Sequence, residues 1–187
     1  MGYSHRWERP QTIAASTFNS ITEDFLKVLP ALEAAGSPIA NAWGREEPEI
    51  TPESVLFNGV QNCGHAINPG VRLAGPARNA VGIGSNIGMG SVLPYRTCNG
   101  DCSYETFRFD RSIDSEWMDE DGIYSTYCKT AFRPYDLAVT AFLLIAKHHL
   151  GKDFGIYSDG ALTHWEDAHL LCLKELGYDL CLQQVIA

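Results

Sequence analysis

No cluster of Lys and Arg interrupts this chain, whose 14 basic residues are outnumbered by 23 acidic ones. The net charge of −9 repels phosphate backbones and anionic lipid surfaces, which sets nucleic acid aside as a partner and suits a basic one. Long apolar runs are missing as well. The longest, Leu137 to Ala146, reaches only about half of the ~20 residues that a membrane-spanning helix requires, so no membrane association is expected. The opening MGYSHRWERP has no apolar h-region, so a secretory signal is not expected and the cytoplasm is the expected compartment. In that reducing setting the six cysteines do not pair as disulfides and stand as free thiols or as metal ligands. The nucleophile elbow G-x-S-x-G, the phosphate loop and the dinucleotide fingerprint are all absent.

What is present suffices for one core, since 187 residues with 45% apolar composition bury a continuous interior without staples. Tyr3, His5 and Trp7 alternate with Ser4 and Arg6, a period of two that predicts a strand. Ser20 and Glu23 have the form of a capping box, and Phe25, Leu26, Leu29 and Leu32 form a stripe behind it. This predicts a helix to about Gly36, kinked or divided at Pro30. SVLFNGV at 54–60 reads as a strand stopped by Asn58-Gly59. From Gln61 to Ser103 the chain is rich in Gly, Asn and Pro and has no sustained period. Loops beyond about 12–15 residues are usually functional, clamped or disordered, so this excursion should be tied down.

Periodicity returns in YETFRFDRS at 104–112 and IYSTYCKTA at 123–131, which predict an antiparallel pair joined by an acidic linker. Arg133-Pro134 opens a helix, Asp136 complements the positive end of its dipole and Gly151 stops it. Its body, LAVTAFLLIA, is apolar all round and belongs at the centre of the fold. DFGIYSDG at 153–160 reads as a strand ending in a turn. Thr163 and Glu166 form a second capping box, and Trp165, Ala168, Cys172 and Leu176 recur at helical spacing up to Gly177. The expected fold is a single α+β domain over 1–187, with a mixed or antiparallel sheet packed on a buried central helix. Its order is β-α-β, the long loop at 61–103, then β-β-α-β-α.

MGYSHRW, LFNGV, NCGH, CNGDCSYETF, CKTAFRPYDLAVTAFLLIAKHHLG and SDG followed by HWEDA together give the chain a family likeness. It resembles a family of small bacterial and bacteriophage proteins. The resemblance implies a bacterial or phage setting (the host cytoplasm for a phage protein) and brings no activity with it.

The strongest chemical signal lies at the two ends of the excursion. Cys63 and His65 offer a thiolate and an imidazole two residues apart, and Cys98 and Cys102 offer two thiolates across a Gly-containing turn. Zinc takes four such ligands from two close pairs, and a closed Cys3His set is structural because it leaves no position for water. Zinc is thus the expected cofactor, with free thiols the competing reading. Cys128, Cys172 and Cys181 read as small buried hydrophobes. The glycine run Gly82, Gly84, Gly88 and Gly90 fits no phosphate cradle and reads as a loop tip able to meet a partner. His148 and His149 suit the carbonyl end of the central helix, and His164 and His169 stand on different faces of the last one.

Two functions follow. The favoured one is a non-enzymatic accessory protein whose zinc-clipped loop binds another protein. The alternative is a small hydrolase acting on a nucleotide or peptide, with Asp159, Glu105 and His164 around a cleft and Arg133 as an anion clamp.

Overall fold

The computed structural model describes residues 3–64, 71–72, 92–93, 96–98, 100–120 and 122–186. His65 and the glycines of the 82–90 run, both singled out above, lie outside the described residues.

The chain folds as an α+β domain of helices and antiparallel sheets. The alternation at the start becomes β1 (Ser4–Pro10), and the first helix is α1 (Ala15–Ala34). Short strands β2 (Ile39–Ala40) and β3 (Glu49–Ile50) lead to β4 (Ser54–Gly59). A two-stranded piece, β5 (Val71–Arg72) and β6 (Val92–Leu93), belongs to the excursion. Then come β7 (Phe107–Asp110), β8 (Ile123–Lys129), α2 (Asp136–Leu150), β9 (Gly155–Ser158), α3 (Glu166–Leu176) and α4 (Leu182–Val185). One sheet has the order β8-β1-β9 and another has β2-β4-β3, with β7 also paired to β4. Both are antiparallel.

α2 lies at the centre, as its composition requires: every residue from Asp136 to Ala146 is buried. Phe142 sits at the middle of an aromatic cluster, with ring centroids 5.1 Å from Phe25, 5.1 Å from Phe107 and 5.0 Å from Phe109. Each such ring taken from water contributes about 1.5–3 kcal/mol. Trp7 of β1 reaches Phe107 of β7 at 5.1 Å, so the inner faces of the two sheets meet there. A buried cation closes the same seam. Arg9 donates to the carbonyls of Gln11 and Arg111 at 3.0 Å each and also to that of Asp110, joining the ends of β1 and β7. Burial lowers its guanidinium to about 10.

Several expectations need correction. α1 begins five residues before Ser20, whose hydroxyl donates to the Ser16 carbonyl at 3.1 Å from inside the helix. The helix is also not divided at Pro30, which lies within it. β7 and β8 do not pair with each other: β7 lies on β4 and β8 on β1, because Phe107 and Phe109 face the aromatic core beside Phe57 while β8 covers β1 from Ser4 to Pro10. Thr163 lies within a short 3-10 turn, Leu162–His164, before α3 begins. Cys181 is exposed, whereas Cys128 and Cys172 are buried as expected. His148 stacks on Tyr178 at 3.6 Å and His149 bonds Asp24 at 2.8 Å, so both tie the C-terminal stretch and α1 to the end of α2. Among the described residues no helix is long and apolar enough to cross a membrane.

Candidate metal centre

The cysteine cluster is built by turns that the local sequence makes available. After β4 the backbone of Asn62 and Gly64 takes left-handed angles, φ 50° and 71°, which Asn and Gly adopt most easily, and Cys63 stands between them. On the returning segment Gly100, with φ 86°, turns the chain between Cys98 and Cys102. The Cys102 N–H donates to the Val60 carbonyl at 3.0 Å, which fastens this turn to the end of β4. Gly59 makes that approach possible, because a Cβ there would fall 1.9 Å from the Cys102 carbonyl oxygen. Arg133 Nη1 donates to the Asp101 carbonyl at 3.2 Å and steadies the same turn.

Three sulfurs converge as a result. The Cys98 Sγ lies 3.2 Å from Cys63 Sγ and 3.4 Å from Cys102 Sγ, and all three fall within 4.8 Å of one another. Cys98 and Cys102 are buried and Cys63 is half-buried. Burial and Cys63 push the Cys98 thiol above its ordinary range against hydrogen bonds from Cys102 and the Gly100 N–H that favour the thiolate, and burial with Cys63 and Cys98 pushes the Cys102 thiol up. Tetrahedral zinc with Zn–S near 2.3 Å places sulfurs about 3.8 Å apart, so the cluster would open by roughly half an ångström to take an ion. The set can hold a metal ion. It supplies three thiolate ligands, which suit soft or borderline cations and not magnesium or calcium.

A second group of side chains fixes the far end of the excursion. Arg96 is fully buried, and its Nε donates to Asp136 Oδ2 at 2.7 Å, its Nη2 to the His164 carbonyl at 3.0 Å, and its Nη1 pairs with Asp167. Asp136 Oδ1 also accepts from His5 Nε2 at 2.7 Å and from the Thr130 hydroxyl at 2.5 Å. Burial alone would raise the Asp136 carboxyl, but Arg96 and His5 hold it well below the usual carboxylate range. On the other side of its ring His5 Nδ1 lies 3.0 Å from Ser158 Oγ. The sequence reading missed this node. Asp136 is a buried acceptor for three donors in addition to standing at the start of α2, and a charged residue opening an all-apolar helix was the signal that a buried cation must exist.

The weak catalytic candidates are each held by local partners. Asp159 accepts from the Ser4 N–H at 3.0 Å and the Ser4 hydroxyl at 2.6 Å. Glu105 accepts from the Lys129 N–H at 2.8 Å, and His164 Nδ1 from the Ala161 N–H at 3.2 Å. A half-open groove of about 740 Å³ between β7 and β8, lined by Arg108, Asp110, Trp117 and Tyr124 among others, contains none of Asp159, Glu105, His164 and Arg133.

Compared with models of known families, with curated proteins and with solved structures, the chain finds no match. The chemistry of these sites therefore rests on their own geometry.

Proposed function

We propose that Cys63, Cys98 and Cys102 hold one zinc ion with His65 as the fourth ligand, and that the ion gives the intervening segment the shape with which it binds another protein. The convergence of three sulfurs from both ends of that segment carries this reading. Closing a loop of this length costs chain entropy, and zinc bound to a Cys-rich set stabilises by far more than that cost. A four-ligand site is saturated, so its role is to shape the surface and not to activate water. The acidic character of the chain favours a partner with a basic face.

Elemental mass spectrometry of protein purified without added metal tests the ligand set. About one zinc per chain is expected, lost in Cys98→Ser and in His65→Ala. Metal-free wild-type protein, or zinc retained by Cys98→Ser, overturns it. For the binding role, chelation should raise amide hydrogen exchange between Gln61 and Ser103 and leave α2 protected, and it should abolish capture of the partner that the zinc-loaded protein binds.

A further inference from the structure

A hydroxyl, an imidazole and a carboxylate stand in line at the node beneath β9. Ser158 Oγ lies 3.0 Å from His5 Nδ1, and His5 Nε2 lies 2.7 Å from Asp136 Oδ1. Asp136 is a carboxylate and can only accept, so Nε2 carries a hydrogen, and in the tautomer that holds its hydrogen there Nδ1 accepts from the Ser158 hydroxyl. A nucleophile bonded to a base whose orientation is fixed by a third group is the arrangement that activates a serine, and roles rather than chain order or ring-nitrogen numbering define it. Here the carboxylate is fully buried and further held by Arg96 and Thr130, so the ring has one setting.

We propose that Ser158 is an activated nucleophile for acyl transfer, with His5 as its base and Asp136 as the residue that positions the base, acting on a carboxylic ester or thioester. The surroundings favour that substrate class. Ser158 is half-buried at the end of β9 and Asp159 after it is exposed, so the relay ends one residue from the protein surface. The Gly160 N–H donates to Ser158 Oγ at 3.0 Å and is a main-chain donor within reach of an oxyanion formed there. Gly160 packs closely here, since a Cβ on it would fall 2.5 Å from the Tyr3 hydroxyl and 2.9 Å from His164 Nδ1. Tyr3, Phe132 and His164 form an aromatic wall beside it, with Phe132 stacked on Tyr3 at 3.5 Å and 5.1 Å from His164. Such a wall accommodates the apolar part of an acyl group. Ala131 and Phe132 hold the wall in place with φ of 50° and 55°, consecutive non-glycine residues in the left-handed region, at a cost of about 1–2 kcal/mol each.

The chemistry balances with groups already present. Ser158 Oγ forms a bond to the carbonyl carbon as its proton passes to His5 Nδ1. The bond to the alkoxide or thiolate leaving group then breaks, and that group departs with the proton from His5. Water repeats the sequence in reverse: it gives a proton to His5 and bonds to the acyl carbon, and the serine oxygen leaves and recovers its proton. Asp136 stabilises the imidazolium in both halves without taking the proton.

Treating the full chain as purified with an alkyl fluorophosphonate, followed by site-resolved peptide mass spectrometry, tests the proposal independently of the metal reading. Oγ bonds to phosphorus and fluoride leaves, so a single adduct at Ser158 is expected, absent in Ser158→Ala and slowed on the order of a hundredfold in His5→Gln. No adduct on the folded protein, adducts spread over exposed serines such as Ser125, or a rate unchanged by His5→Gln overturns it. Should His5→Gln fail to fold, Ser158→Cys replaces it. The new thiol should react with iodoacetamide at least about tenfold faster than the exposed Cys181 of the same molecule, and an equal or slower rate also overturns the proposal.

Discussion

The excursion is fastened at its returning end by two groups only two residues apart in sequence, and they differ in kind. Arg96 enters a finished site: two carboxylates, a carbonyl and a hydroxyl are already aimed at its guanidinium. Cys98, immediately beyond Thr97, enters an unfinished one, in which sulfurs crowd to 3.2 and 3.4 Å and burial pushes the Cys98 and Cys102 thiols up. The first contact is built into the fold and depends on nothing external. On the proposed zinc reading the second reaches its full strength only with an ion, so a single short stretch would join the permanent core to a conditional surface.

Four variants break or sharpen that contrast. The largest effect is expected for Arg96→Met, which leaves Asp136 and Asp167 buried without their cation. It should lower unfolding stability in urea by about 3–5 kcal/mol, whether or not metal is present. Gly59→Ala comes next. Its new methyl group meets the Cys102 carbonyl, so stability should fall by about 1–3 kcal/mol and bound zinc should fall with it, as read by urea melts and elemental analysis. Cys98→Ser should change the metal-free protein by less than about 1 kcal/mol yet abolish the rise in Tm that zinc gives the wild type. The smallest effect is that of pH. Burial lowers the pKa of His148, with His149 adding to it, and burial with Arg96 lowers that of His164, both from the ordinary 6.5. The unfolded chain therefore takes up protons first on acidification, and stability should decline as pH falls from neutrality through that value. The double variant His148→Phe, His164→Asn should flatten this part of a Tm-against-pH curve.

How much was legible depended on whether the cause was local. α2 was readable because an all-apolar stretch between Arg133-Pro134 and Gly151 has one solution, and the structure buries every residue from Asp136 to Ala146. β1 was readable from its alternation, and β4 was located but not its end, because Asn58 and Gly59 do not stop the strand and instead lie within it, paired with Ala40 and Ile39 of β2. The Cys63, Cys98 and Cys102 grouping was readable because Gly and Asn neighbours are poor core material and good turn material. The start of α1 was misread since Ser20-Glu23 is a capping pattern wherever it falls, and the added first turn is stabilised by burying Phe18. The partners of β7 and β8 were beyond local patterns, because pairing is decided by which inward faces meet across the molecule. Arg96 left no trace in its own neighbourhood. Its partners come from 40 to 71 residues further on, at Asp136 and Asp167, and only Asp136 hinted at it.

The central position of β1 in its sheet governs how the molecule is made. Its neighbours begin at Ile123 and Gly155, so this strand is without either partner until a long stretch of the following chain has been made. Pairing of such distant segments makes for slow acquisition of the native state and exposes an apolar ribbon in the meantime. A nascent chain arrested before Ser158 should accordingly be a target for chaperones and proteases, and release of the last strand should end that vulnerability.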